Sequence, residues 1–325
     1  MSELVSIDYN TQLSTISIQE YLTELDNFYI EYLNKLNVDN KYTFGIEIEY
    51  KDIYEYVVKH FTKDHMKKWK SSFELNIDVG GEVISPILKD NLKTWKDIKK
   101  ICNFIKEKNA SFNVGGHIHI GSQILGYNLE AWKKFVYLYT AYEDIIYHFS
   151  NGNVVNGRTS QITCAAPMAI ELAKNYDIIK DSYMLEFFEY LDKFDRFNGL
   201  NFNNVKTNAL DKTKYKNTIE FRMPNGTFDE EIWQNNIYFF IKLLEASKNN
   251  IDMDYLSYKI KEKSELENYH NYYKLDMRSA VILADTIFDN NFDKARFLKQ
   301  YYKDGREIPN SDELITSSKQ LIKKN

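Results

Sequence analysis

The segment 44–50, Phe-Gly-Ile-Glu-Ile-Glu-Tyr, carries two glutamates that could bind metal ions. Apolar residues alternate with Glu47 and Glu49, so an extended strand puts both carboxylates on one face. Their Cα atoms are then about 7 Å apart, which suits two neighbouring metal ions better than one small ion. A Glu-x-Glu pair alone also fits an ordinary solvated strand face, so further motifs have to decide between the two interpretations.

Two histidines with the same spacing, His117 and His119, lie in Gly-His-Ile-His-Ile-Gly, residues 116–121. They could be structural histidines, zinc ligands, or one metal ligand and one phosphate contact in a site dominated by carboxylates. A zinc site needs further ligands at defined spacing, and the other four of the six histidines stand in no such pattern. Gly115 and Gly116 would let a ligand approach the backbone closely.

Two more segments place charged residues opposite apolar ones. In Thr-Ile-Glu-Phe-Arg-Met, residues 218–223, Glu220 and Arg222 share one face, and three apolar residues share the other. The segment 73–86 alternates apolar and polar residues at first, then breaks at two glycines before Glu82. Both segments are predicted to be strands.

If these four strands share one sheet, their polar faces combine into a single surface. We predict that residues 40–245 form an antiparallel sheet with helices on its apolar face and with an open polar face. Magnesium prefers hard oxygen ligands and commonly completes its coordination with waters and substrate phosphates. Four carboxylates would give this surface the composition of a multi-magnesium nucleotide site: Glu47, Glu49, Glu82 and Glu220.

Helical periodicity predicts the elements that would support the sheet. The segment 17–36 has apolar residues at helical spacing and a capping box at Ser17 and Glu20. A second box, Thr227 with Glu230, predicts a helix that runs to about residue 248. The other predicted helices cover 90–108, 128–149, 276–288, 292–303 and 311–323.

Composition limits the classes of protein to consider. The 325 residues are 43% hydrophobic and 27% charged, and the formal net charge is −5. This balance is typical of a soluble globular protein. The sequence shows no basic domain or stripe of the kind that a nucleic-acid binder normally has. Two cysteines are too few for a disulfide framework or a zinc cluster. Neither a signal peptide nor a bilayer-spanning apolar run is recognisable, so we expect a cytoplasmic protein.

Arginine use adds a weaker signal. Six of the 42 basic residues are arginine, and Arg158, Arg196 and Arg222 fall in the part of the chain that carries the motifs. A planar guanidinium is suited to carboxylate and phosphate binding, although ordinary salt bridges explain Arg158 and Arg196 equally well. The two common glycine-rich nucleotide motifs, G-x-x-x-x-G-K-[ST] and G-x-G-x-x-G, are absent.

Taken in chain order, the motifs resemble those of the amidoligase family, a branch of the glutamine synthetase and glutamate–cysteine ligase superfamily. The resemblance covers residues 40–245. The matching segments are FGIEIE (44–49), GGEVISP (80–86), GGHIHIG (115–121), NGR (156–158), DRFNGLN (195–201) and TIEFR (218–222).

The resemblance implies an α+β fold with a glutamine-synthetase-like antiparallel catalytic sheet. One face of that sheet would be polar, and helices would pack on the other. On this basis we divide the chain into an N-terminal helical segment (1–40), a catalytic domain (41–248) and a helical C-terminal extension (249–325).

The resemblance also implies two metal positions. Glu49 and Glu82 would hold one ion, and Glu47, His117 and Glu220 would hold the ion that bridges the phosphates of ATP. Glutamine synthetases have another acidic ligand before the equivalent of Glu82; here Glu74 is the first candidate and Asp78 the second.

Further roles follow from the same resemblance. His119 would contact phosphate or substrate, and Arg222 would stabilise the transferred phosphoryl group. Arg158 and Arg196 would bind the acceptor carboxylate or the nucleotide.

The activity implied is an ATP-dependent ligase that joins a carboxylate to an amine through an acyl phosphate, with Mg²⁺ or Mn²⁺ as the metal. Small-molecule or peptide carboxylates and amines would be its partners, and neither nucleic acid nor membrane is expected. Two alternatives remain open: a phosphotransferase on the related guanidino-kinase fold, and a descendant that binds nucleotide or peptide without catalysis.

Overall fold

A computed structural model places the motif-bearing strands in one six-stranded antiparallel sheet, together with two short strands. The structure describes residues 28–74, 77–112, 114–152, 164–205, 217–269 and 275–303. The strands are β1 (Phe44–Lys51), β2 (Lys70–Ser72), β3 (Gly80–Ile84), β4 (Gly116–Gly121), β5 (Leu200–Asn201) and β6 (Thr218–Phe221). Their order across the sheet is β2-β3-β1-β4-β6-β5.

The apolar residues of each strand point to the same side of the sheet. Ile48, Ile118, Ile120, Ile219 and Phe221 are completely buried. This burial follows from the two-residue period of the strands, because one face carries branched and aromatic side chains and the other carries the charged ones. The predicted antiparallel sheet with one apolar face is therefore confirmed.

Helices cover this apolar face. The helices of the described residues are α1 (Glu55–His65), α2 (Leu92–Glu107), α3 (Leu129–Ser150), α4 (Ala169–Lys174), α5 (Tyr176–Asp181), α6 (Met184–Leu191), α7 (Glu230–Ala246), α8 (Met253–Ser264), α9 (Met277–Ile287) and α10 (Asn291–Tyr302). The ring of Phe221 stacks on Phe240 of α7 at 4.0 Å and meets Phe135 of α3 edge-on at 6.2 Å. These aromatic contacts fix α3 and α7 against the centre of the sheet.

The predicted helices over 90–108, 128–149, 228–248, 276–288 and 292–303 are confirmed as α2, α3, α7, α9 and α10. Asn91 and Asn128 start the first two, since each side chain accepts a hydrogen bond from a first-turn N–H. The capping box predicted for α7 is wrong. The Thr227 hydroxyl accepts from Asp229 N at 3.1 Å instead, one turn before the helix. The helix predicted over 311–323 lies outside the described residues.

The helix predicted over 17–36 is wrong for residues 28–36, which have no regular secondary structure; its first part lies outside the described residues. Side chains from distant elements take the hydrogen bonds that a helix would use. Gln234 bonds both the N–H and the carbonyl of Leu33, at 2.7 and 2.8 Å, and Asp90 accepts from Leu36 N at 2.8 Å. Tertiary bonding has therefore overridden the helical pattern.

The strand predicted over 73–86, with its break at Gly80 and Gly81, is wrong in its first part, of which residues 73, 74 and 77–79 are described. Strand β2 ends at Ser72, and β3 begins only at Gly80. Phe73 and Val79 are 59% and 41% exposed although Ile77 is buried, so these apolar residues do not share one buried face. Gly80 is required where the loop rejoins the sheet, because a Cβ there would lie 2.1 Å from the carbonyl oxygen of Tyr50.

The C-terminal helices share the core of the sheet. Helices α9 and α10 contact α3 and α7, and their apolar side chains belong to the same hydrophobic cluster. The division at residue 249 remains a prediction. Within the described ranges, no helix combines the length and the apolar character needed to cross a membrane.

We predict that Gly116→Ala destabilises the protein by about 1–3 kcal/mol, as overpacking does in well-packed cores. A Cβ at this position would lie 2.5 Å from the ring of Trp233, which is fully buried and whose Nε1–H donates to the Thr227 carbonyl at 2.8 Å. Urea unfolding measures the loss. Gly45→Ala is the control, because its Cβ would lie at an ordinary 3.4 Å from Ser85 Oγ. Equal stability of the two variants would show that the indole is free to move.

Candidate active site

The strand register brings the predicted site residues together on the polar face. Residues directly opposite each other on antiparallel strands have Cβ atoms about 4.5–5.5 Å apart on the same face. Three pairs stand in this relation: Glu49 with Glu82, Glu47 with His117, and His119 with Glu220. Strands β3, β1, β4 and β6 therefore contribute to one cluster, as we predict from the alternation.

Three side chains at the centre of the cluster have the geometry of a metal site. His117 Nδ1 lies 2.9 Å from Glu47 Oε2 and 3.7 Å from Glu220 Oε1. One ligand atom from each of the three residues lies within 4.8 Å of the other two. Two carboxylates and one imidazole at this spacing can surround a single divalent ion, with the remaining positions left to water or phosphate.

Both oxygens of Glu47 are bonded to histidine. His117 Nδ1 reaches Oε2, and His119 Nε2 lies 3.0 Å from Oε1. Burial on its own would raise the pKa of Glu47. The hydrogen bonds and charges of the two histidines outweigh burial and lower that pKa below its usual range. Glu47 is thus an anion at neutral pH.

A second group of acidic side chains lies beside this trio. Glu49 accepts from Gly115 N at 2.6 Å and has its other oxygen 3.5 Å from His117 Nε2. Burial raises the pKa of Glu82, and the charges of Glu47 and Glu74 raise it further, against a hydrogen bond from Ser72. Crowded carboxylates of this kind favour a bound cation, which would offset their mutual repulsion.

The additional acidic residue is better placed at Glu74 than at Asp78. Glu74 lies two residues after the end of β2 and its charge raises the pKa of Glu82, whereas Asp78 is exposed. Whether Glu74 binds a metal remains a prediction.

Arg222 lies at the edge of the cluster. Its Nη1 donates to Glu220 Oε1, and its Nε donates to the carbonyl of Cys164 at 3.2 Å. The side chain is 14% exposed, so the guanidinium is close to a carboxylate ligand and still accessible. Sequence analysis predicts that Glu220 and Arg222 share a face, and this is confirmed.

The structure describes one of the other two predicted arginines. Arg158 lies outside the described residues. Arg196 is exposed on the turn before β5, with its guanidinium 4.8 Å from the ring centre of Phe197, and it makes no ion pair with any described carboxylate. The structure therefore gives the role predicted for Arg196 no geometric support.

The polar face is less open than we predict. His117, His119 and Glu220 are each less than one tenth exposed, because they pack against one another and against Arg222. Sequence analysis also missed Ser72 and Asn201, which donate to Glu82 and Glu220, both at 2.7 Å. Their strands β2 and β5 are too short to show a periodic pattern, so only the register reveals them.

A comparison with protein families matches residues 55–244 to the model described as "putative amidoligase enzyme". The chain belongs to this amidoligase family. The matched range includes Glu82, His117, Glu220 and Arg222, and the amidoligase cluster is completed by β1, which precedes that range. A comparison with curated proteins gave no match.

Proposed function

We propose that this amidoligase is an ATP-dependent carboxylate–amine ligase with a glutamine-synthetase-like catalytic sheet. The observation that carries the proposal is the cluster itself: acidic and histidine side chains from four neighbouring strands converge on one largely buried face, with Arg222 at its edge. Such a face is suited to gathering positive ions around a polyphosphate.

The side chains present fit divalent metal ions. Glu47, His117 and Glu220 would hold one ion, and Glu49 with Glu82, and with Glu74 nearby, would hold another. Carboxylate oxygens suit Mg²⁺ and Mn²⁺, and a single imidazole favours Mn²⁺ without excluding Mg²⁺. When bound, these ions supply positive charge that offsets the charge of the phosphates during transfer.

The reaction divides into two transfers. In the first, an oxygen of the substrate carboxylate attacks the γ-phosphorus of ATP, the bond to the β,γ-bridging oxygen breaks, and ADP leaves. In the second, the amine nitrogen attacks the acyl carbon, phosphate leaves with the bonding electrons, and the nitrogen loses a proton. The first transfer is needed because a free carboxylate is a poor electrophile and phosphate is a good leaving group.

The protein contributes alignment and fixed charge to both transfers. Arg222 is placed to donate to the oxygens of the transferred phosphoryl group. Its Nη1 also donates to Glu220, which holds the guanidinium beside the proposed metal ligands. His119, held between Glu47 and Thr218 at 3.0 and 3.4 Å, would present its ring to phosphate or substrate. A catalytically inactive descendant would be expected to lose ligands. The proposed ligands are all present in this sequence: Glu47, Glu49, Glu82, His117 and Glu220.

We predict that Mg-ATP or Mn-ATP stabilises the protein, whereas ATP with a chelator does so much less. A ligand that binds only the native state at about 100 times its Kd contributes about 2.7 kcal/mol. This corresponds to a rise of several degrees in melting temperature for a chain of this length. Differential scanning fluorimetry with Mg-ATP, ATP plus EDTA, and Mg²⁺ alone measures the effect. A melting temperature that is the same with and without each of the three additions would contradict the proposal.

A further inference from the structure

Two carboxylates of the cluster each have one oxygen held by a neutral side-chain donor, a feature that the catalytic proposal does not use. Glu82 has one oxygen, Oε1, held by the hydroxyl of Ser72 at 2.7 Å. Glu220 has one oxygen, Oε2, held by the side-chain amide of Asn201 at 2.7 Å. In both cases a neutral donor restricts the rotation of the carboxylate.

The donors come from the two edges of the sheet. Ser72 on β2 stands directly opposite Glu82, and Asn201 on β5 stands directly opposite Glu220. These strands have three and two residues. Each strand adds one side-chain donor at its own edge of the polar face. The two donors therefore lie on opposite sides of the central strands β1 and β4.

The amide of Asn201 is itself fixed. Its Oδ1 accepts from Asn203 N at 2.9 Å, so its NH₂ group must point to Glu220. Asn201 is buried, which excludes water as a competing partner. Without this bond, the planar fork of Arg222, which already donates to Oε1, could bind both oxygens of Glu220 and withdraw the carboxylate from an ion.

We propose that Ser72 and Asn201 are positioning residues, each for a different metal ion of the site. Ser72 holds Glu82 for the ion shared with Glu49, and Asn201 holds Glu220 for the ion shared with Glu47 and His117. In each case one carboxylate oxygen is fixed by the donor so that the other faces the ion. This inference rests on the proposed function, because it needs two metal positions.

The test is Mn²⁺ binding to the full-length chain, measured by isothermal titration calorimetry and by the electron paramagnetic resonance signal of free Mn²⁺. Ser72→Ala and Asn201→Ala should each weaken one binding step by about 10–100-fold and leave the other step unchanged, as loss of a partner that orients a ligand does. Ser72→Thr and Asn201→Gln keep a donor and should recover most of the affinity. Melting of the metal-free variants shows whether each one folds.

Matched controls lie beside both residues. Ser71→Ala removes a hydroxyl from the other face of β2, where Ser71 lies 3.1 Å from the hydroxyl of Tyr50. Asn203→Ala removes an exposed side chain and leaves its backbone N–H in place. Neither control should change Mn²⁺ affinity.

Three results would overturn the inference: unchanged affinity in both alanine variants, equal weakening of both binding steps by each variant, or no recovery in the variants that keep a donor. Wild-type protein that binds no Mn²⁺ would overturn the proposed function together with this inference. Normal wild-type binding with unaffected variants would leave the proposed function standing and remove the inference alone.

Discussion

Glu220→Gln should lower metal-dependent turnover by about 10²–10³-fold or more, the range seen when one electrostatic stabiliser of a transition state is removed. Glu220 supplies one of the three ligand atoms of the central trio, and its Oε1 also accepts a hydrogen bond from Arg222. Glutamine keeps the shape of the side chain and removes its charge. The variant therefore loses a metal ligand and an anchor for Arg222 in one step.

The metal-free protein should remain folded in this variant. Two effects oppose each other: relief of repulsion from Glu47 and its neighbours favours the variant, and loss of a charged partner for Arg222 and Asn201 disfavours it. Since the glutamine carbonyl can still accept one of these bonds, the cost is about 1–3 kcal/mol. A typical domain has about 5–15 kcal/mol of stability.

Glu245→Gln is the matched control for this charge removal. Glu245 pairs with Lys242 on α7, at 2.8 Å, and lies outside the cluster. Turnover should be unchanged in the control. If Glu220→Gln kept more than a tenth of wild-type turnover, or if it unfolded the metal-free protein, Glu220 would have to be reassigned as a structural partner of Arg222.

The next residue on the same strand should behave in the opposite way. Phe221→Ala should destabilise the metal-free protein by about 3–5 kcal/mol, because the ring is completely buried between Phe240 and Phe135. Ile219 is also completely buried, and Ile219→Ala should lower the free energy of unfolding by about 2–5 kcal/mol. Urea unfolding in EDTA measures both losses without interference from metal binding.

Phe197→Ala provides the control. This phenylalanine is 39% exposed, so its truncation should lower the free energy of unfolding by less than about 1 kcal/mol. The strand thus predicts an alternation of effects, with catalytic loss at Glu220 and loss of stability at its two neighbours. A cost below about 1 kcal/mol for Phe221→Ala would contradict the assignment of this face to the core.

Local alternation was sufficient to predict the strands that carry the chemistry. In 44–50, 116–121 and 218–223 the apolar residues alternate with charged or polar ones and must all be buried on one side of the strand. The alternation therefore predicts which face is polar. Phe73 and Val79 show the limit of this reasoning, because both belong to an alternating segment of the sequence and are nevertheless exposed. Alternation marks a strand only where a partner strand is present.

The features that sequence reasoning missed depend on contacts between distant segments. Ser72 and Asn201 become part of the site through the register of two very short strands, and no local pattern identifies them. Residues 28–36 have a helical pattern, yet Gln234 and Asp90 bond their backbone instead. Pairing and side-chain bonding of this kind are decided by the assembled fold.

We propose that the protein forms an amide bond, and an assay of ADP release with product masses tests this directly. Purified protein with Mg-ATP or Mn-ATP is incubated with a panel of amino acids, peptides and other carboxylates. Each carboxylate is tested with amino acids and polyamines as amines, and with hydroxylamine as a small surrogate that traps acyl phosphates as hydroxamates. Glu220→Gln is run in parallel as the inactive variant.

We predict ADP release that requires both a carboxylate and an amine, together with a product whose mass is the sum of the two substrates less one water. Hydroxylamine should yield a hydroxamate with the carboxylate that is accepted. Stoichiometric ADP release with a phosphorylated product and no need for an amine would identify a phosphotransferase. Mg-ATP binding without ADP release across the panel would favour a non-catalytic protein, and either result would contradict the claim.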